Sequence, residues 1–160
     1  VVGARLAKAR LKALRFDNAT IDKVYTLVFL HLRFHGYGSG GWTDSAVRRY
    51  VRDADDLLTH LHVLTRADCT TRNAKKAAML ATTYDSLEER IALLQEEEEL
   101  NAIRPDLDGN QIMEILGVKP SPLIGKAYAH MLEIRLDRGP LSDEEARREL
   151  ALWWEANAPK

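Results

Sequence analysis

One cysteine, Cys69, stands alone in 160 residues, so a disulfide framework within the chain is excluded. No stretch approaches the roughly 18 consecutive apolar residues that a membrane span requires. Alternation of period two never lasts more than a few residues, which removes any strand signal. Glycine is scarce outside one segment: four of the nine glycines lie in residues 36–41. That segment has no preceding strand and no Lys-Ser/Thr ending, so it is not a phosphate-cradling P-loop. No serine sits in a nucleophile elbow, and Cys69 reads more readily as a small packing residue than as a nucleophile. The chain also lacks an initiator Met, a positively charged leader and an apolar leader core. These absences lead us to expect a cytoplasmic location without a membrane, in a chain that starts inside a longer protein.

What is present is the balance of a globular protein. Hydrophobic residues make up 46% and charged residues 29%, enough apolar area to offset chain entropy and exclude disorder over most of the length. The length suits one domain, or two small helical units sharing a core. The net charge of −1 conceals an asymmetry. Residues 1–76 carry 14 basic and 7 acidic side chains, a net of +7, whereas residues 77–160 have a net of −8. A basic half joined to an acidic half is the pattern of a polyanion contact confined to one end. Chance differences between solvated helix faces would give the same arithmetic.

Apolar spacing of helical type recurs throughout, so the expected fold class is all-α, with seven to eight helices. The first helix is expected over about 2–15, with Val2, Leu6, Leu11 and Leu14 near one stripe. Asn18 is placed to cap a second, from Ala19 to about Phe34, with Gly36 ending it. Thr43 can cap a helix from Asp44 to about Arg52, and another follows from Asp55 to about Asp68. Residues 73–103 read as one long helix, on the order of 45 Å. Its seam of Ala77, Leu80, Tyr84, Leu87, Ile91 and Leu94 has heptad-like spacing and predicts a partner among the later helices of the chain. Glu96–Glu99 reads as a solvated patch. A link over 101–108 precedes three short helices: 109–116 capped by Asp108, Pro122 to about Asp137 capped by Ser121, and Asp143 to about Ala156. The last has a Ser142…Glu145 capping box, with Leu150, Trp153 and Trp154 packing it down.

Candidate chemistry is sparse. His31 and His35 share a helix face at a two-ligand spacing, yet no acidic residue lies near in sequence, and a polar edge of a core helix is the better explanation. Asp68 ends an apolar stretch, where an inward-facing acid would need a cation or donors. It could instead bond to Thr70 or Thr71. The basic residues form a more suggestive set. Arg48, Arg49 and Arg52 lie on one helix, and Arg66, Arg72, Lys75 and Lys76 surround the start of the long one. With Tyr37 and Trp42 flanking the glycine segment, such residues can bind phosphates and stack on a base. Solubilising charge is the bland alternative.

Two stretches carry a resemblance. One runs Leu30-His-Leu-Arg-Phe-His-Gly-Tyr-Gly38, then Trp42-Thr-Asp-Ser-Ala-Val-Arg-Arg-Tyr50, leading to Leu64-Thr-Arg-Ala-Asp-Cys-Thr-Thr-Arg-Asn73. The other is Asp106-Leu-Asp-Gly-Asn-Gln-Ile-Met-Glu-Ile-Leu-Gly-Val-Lys-Pro-Ser-Pro-Leu-Ile-Gly125. Together they resemble the CCA-adding tRNA nucleotidyltransferase and poly(A) polymerase family, in its actinobacterial branch with an HD-type domain. Ser121 stands where the family usually has Gly. The resemblance implies that 1–72 is the C-terminal part of an HD-type domain, 73–103 a connecting helix and 104–160 a helical RNA-binding domain. It implies a catalytic head, with Mg2+, preceding Val1, no cofactor in this part, and tRNA or another RNA as partner. His31 and Asp68 would then be two members of a metal set whose other ligands lie upstream, too few to hold a metal firmly. This part alone is expected to be inactive. Two other readings remain: a metal-dependent HD phosphohydrolase, and a helical module binding another protein through the 77–94 seam. Nothing in the residues distinguishes CCA addition from polyadenylation.

Overall fold

A computed structural model describes residues 2–37, 42–68, 71–98 and 103–158. Among these, eight α-helices and two 3₁₀ turns make up the regular structure, and no strand occurs. None of the described helices is long and apolar enough to cross a membrane. Two compact units result, Val1–Gln95 and Glu96–Lys160. The glycine segment beyond Tyr37, together with Cys69 and Thr70, lies outside the described residues.

In the first unit, α1 (Val2–Ala13) packs along α2 (Asn18–Leu30). The face that α1 buries differs from the expected stripe. Ala4 is fully buried and Leu11 half-buried, while Val2 and Leu6 stay 71% and 66% exposed. Small residues let the two helices approach: a Cβ on Gly3 would meet Val28 at 3.6 Å. Arg15 takes a left-handed conformation (φ 60°) to turn the chain. The cap of α2 is Asp17 and not Asn18. Its carboxylate accepts the Thr20 N–H at 2.9 Å, and its charge is favoured at the positive end of the helix.

Regular α geometry ends at Leu30, four residues earlier than expected, and tightens into a 3₁₀ turn over His31–Gly36 that buries Phe34. Thr43 caps α3 (Asp44–Ala54) as expected, through its hydroxyl and the Ala46 N–H. The predicted helix over 55–68 is divided: Asp55, at φ 47°, opens a 3₁₀ turn to Leu57, and α4 follows over Leu58–Ala67.

The long helix α5 runs Ala74–Glu98, with Asn73 accepting the Lys76 N–H at 3.1 Å. Tyr84, Leu87, Ile91 and Leu94 of the seam are buried, and Ala77 and Leu80 half-buried. The polar and aromatic contacts along this seam come from earlier elements, which corrects the expected later partner. Tyr84 stacks on Phe34 at 3.7 Å and donates its hydroxyl to the Thr65 carbonyl at 2.8 Å. Thr65 lies in the last turn of α4, so the phenol ties α5 to that helix end. His62 of α4 stacks on Tyr50 of α3, with Nδ1 3.5 Å from Glu88 Oε1. Among the described residues, its buried Nε2 has no hydrogen-bond partner.

The second unit holds α6 (Gly109–Leu116), α7 (Pro122–Arg138) and α8 (Asp143–Asn157) around Leu107, Ile112, Ile124, Met131 and Leu150. Asp108 and Gln111 form a capping box on α6, and Ser142 and Glu145 form the predicted one on α8. Gly117 takes the left-handed conformation (φ 65°) that closes α6. Ser121 has the extended backbone of a cap, but its hydroxyl makes no capping bond. Pro122 at the first helical position needs no acceptor for its missing N–H. Trp153 packs on the core and stacks with His130, whereas Trp154 is half-buried outside it. Buried Arg135 bonds to Asp106 at 3.4 Å and to the Glu98 carbonyl at 3.0 Å. The other oxygen of Asp106 accepts the Leu141 N–H at 3.3 Å.

Replacing Asp106 with Ala leaves the Arg135 charge and the Leu141 N–H short of an acceptor. We expect a loss of about 2–3 kcal/mol, read from urea unfolding followed by circular dichroism. His62 gives a pH effect of defined sign. Burial pushes its pKa below 6.5, the Glu88 carboxylate opposes this, and Arg66 adds to it. The unfolded chain therefore takes up this proton first as the pH falls through about 6.5, so the contribution to stability is present above that value and lost below it. His62→Phe keeps the stack and should flatten the decline in urea midpoint between about pH 7 and 5.

Candidate nucleic-acid interface

The six predicted phosphate-binding cations fall into two groups. Arg48, Arg49 and Arg52 all lie on α3, whose Val47, Tyr50, Val51 and Ala54 form its core-facing stripe. Arg48 borders that stripe and is only 5% exposed. Arg49 is half-buried and donates to the Ser45 hydroxyl. Arg52 donates to Asp53 through Nε at 3.2 Å and Nη2 at 3.0 Å. Burial raises the Asp53 carboxyl, but the bonds from Arg33 and Arg52 outweigh it and hold the group below its ordinary value. The α3 arginines are thus drawn into contacts within the chain, and Arg48 presents almost no surface.

Arg72, Lys75 and Lys76 behave differently. All three are exposed, just before and within the first turn of α5, and that turn contains no acidic residue. The start of a helix already carries about half a positive charge, so these side chains add like charge where an acid would be favoured. Such an arrangement attracts a polyanion. Arg5, Arg10, Lys12 and Arg15, outside the predicted set, are also exposed along and just after α1. The +7 excess of residues 1–76 was the signal that could have brought them in. Lys8, on the same helix, pairs with Asp22 at 2.9 Å.

The two predicted stacking groups are half-buried in an aromatic series. Tyr37 meets Trp42 edge-on at 5.6 Å, and Trp42 meets Tyr50 at 5.1 Å. The Tyr37 hydroxyl lies 3.1 Å from the Ser86 hydroxyl on α5. These contacts fix both rings on the body of the first unit. Arg66, from α4, sits over the Tyr84 ring at 5.3 Å and bonds to Asp85 at 2.7 Å and Glu88 at 3.0 Å. Those two carboxylates raise its pKa further, so it stays charged at every working pH.

The structure brings His31 and Asp68 together, with Nε2 and Oδ2 3.9 Å apart. His31 Nδ1 lies 2.8 Å from the Val28 carbonyl, a bond that turns Nε2 towards the acid. The Asp68 side chain is 52% exposed, so it does not take the inward-facing position that would need a compensating cation. His35 is exposed and takes no part in this pair. Among the described residues, no three His, Cys, Asp or Glu side chains gather as metal ligands. One imidazole and one carboxylate do not fit magnesium, which demands near-octahedral oxygen coordination.

Comparison with known proteins gives the chain a context. It is 30% identical over 155 residues to a CC-adding tRNA nucleotidyltransferase of Thermus thermophilus, a match over 95% of this chain and 32% of that protein. It is 27% identical over 154 residues to an A-adding tRNA nucleotidyltransferase of Deinococcus radiodurans, over 96% of this chain and 34% of that one. No protein-family model matches the chain, and no solved structure matches it. The chain spans about a third of the length of these curated relatives, and over nearly all of its own length it is similar to tRNA nucleotidyltransferases.

Proposed function

We propose that this chain is the tRNA-holding C-terminal part of a tRNA nucleotidyltransferase, with an HD-type remnant in 1–72 and an RNA-binding domain in 104–160. Transfer of nucleotides and the magnesium it uses belong to a head preceding Val1, and the protein works in the cytoplasm. The single observation that carries the holding role is the group Arg72, Lys75 and Lys76 at the start of α5, exposed and without an acid in that turn. The two relatives supply the substrate, tRNA, by their names.

Cations spaced along a surface follow phosphates and do not read bases, and A-form RNA is recognised largely through its backbone and shape. Arg72, Lys75 and Lys76 make the main phosphate contacts, supported by the exposed cations of α1. Arg49 and Arg52 contribute at the margin, and Arg48 supports the α3 wall. Tyr37 and Trp42 give the surface a fixed aromatic edge.

The close approach of His31 and Asp68 favours a second reading, in which a longer chain completes a metal-dependent phosphohydrolase site around them. In such a longer protein, Asp68→Ala should abolish the divalent metal retained on purification, read by elemental analysis. Undiminished metal would remove that reading.

The holding role is tested by tRNA binding to the 160-residue chain across a salt series. Binding should weaken steeply with salt. The double substitution Lys75→Glu, Lys76→Glu should cost about ten-fold or more in affinity and reduce the salt slope by about two. Salt-insensitive binding, or none at low salt, would overturn it.

A further inference from the structure

We propose that a notch between α4 and α5, lined by Arg66, Ala77, Ala81 and Tyr84, seats one unpaired base of the bound RNA. The inference rests on the RNA-holding reading and adds a site to it. The cavity measures about 230 Å³. Pockets for drug-sized ligands run to roughly 300–1,000 Å³, so this one suits a single flat ring system and little more.

Its construction favours a planar, electron-rich guest. Phe34, Tyr84 and Arg66 form a layered series, ring on ring at 3.7 Å and guanidinium over ring at 5.3 Å. Arg66 is part of the cavity wall, and its plane is fixed by Asp85 and Glu88. A guanidinium already held in place stacks on a base without losing further side-chain freedom. Ala77 and Ala81 lie one helical turn apart on the same face of α5, and their small side chains leave the space open. Lys76 directly precedes Ala77 on α5 and Arg72 lies just before the helix, whereas Lys75, two residues from Ala77, points to another side of it. A strand whose phosphates follow Arg72 and Lys76 passes near the notch, where a base turned out of its stack can enter. Every base has a flat face, so this site would tolerate any sequence.

The test measures binding of a labelled single-stranded oligoadenylate to the 160-residue chain by fluorescence anisotropy, over a salt series. Ala81→Leu fills the notch with a good helix former at an exposed position, so the helix content read by circular dichroism should not change. Its affinity should fall about five-fold or more with the salt slope unchanged. Ala81→Ser keeps the space and should bind as the parent does. Ala77→Leu repeats the test from the other wall if Ala81→Leu misfolds. If filling the notch leaves affinity unaltered while Lys75→Glu, Lys76→Glu still weakens it, the base site is wrong and the holding role stands. If the parent chain shows no salt-dependent binding to oligoadenylate, the base site is wrong, and the holding role is decided separately by the tRNA salt series.

Discussion

The first unit depends on the way Tyr84 is held. Its ring is buried against Phe34, and its hydroxyl reaches a carbonyl in the last turn of α4. Burying an aromatic ring contributes about 1.5–3 kcal/mol, the stacked pair about 0.5–1.5 more, and the hydrogen bond about as much again. The apolar term dominates, and the polar one fixes the register. Around this contact Arg66, Asp85, Glu88 and His62 form a charged and aromatic seam, so the side chains that orient α5 also fix the wall beside its cationic start.

That arrangement divides the basic half of the chain by role. The α3 arginines serve the body of the protein, through Ser45, Asp53 and burial against the core. The cations at the start of α5 and along α1 serve its surface. Residue type alone does not separate the two groups. What separates them is their position relative to each helix's core-facing stripe and the presence or absence of an acid nearby.

Much of the architecture was legible because caps and periodicity are local. Thr43, Asp108, Pro122 and the Ser142…Glu145 box fix helix starts through their nearest neighbours, and each is found where it was expected. Apart from the α2 cap, which is Asp17 in place of its neighbour Asn18, the misplaced features depend on more than the nearest residues. Ending α2 at Leu30 turns on Phe34 meeting a ring fifty residues along the chain, and the division at Asp55 turns on how α3 and α4 pack. The buried face of α1 was misread because alanine and glycine carry little hydrophobic signal, although their size permits close approach. Within the candidate site, His31 lies near Asp68, Arg72, Lys75 and Lys76 are exposed, and Arg48 is buried, a division that residue type and spacing alone do not make. The motif over 106–125 acts through structure: Asp106, Leu107, Asp108 and Gly117 brace, fill, cap and terminate.

Asp106 shows what such bracing implies for how the second unit comes apart. One carboxylate binds the guanidinium of α7 with one oxygen and the backbone leading into α8 with the other, and that guanidinium also grips the end of α5. The strand of chain around residue 106 cannot peel away by itself without releasing both neighbours. A protease should therefore find residues 103–108 as resistant as the helices beside them, although these residues carry no regular structure.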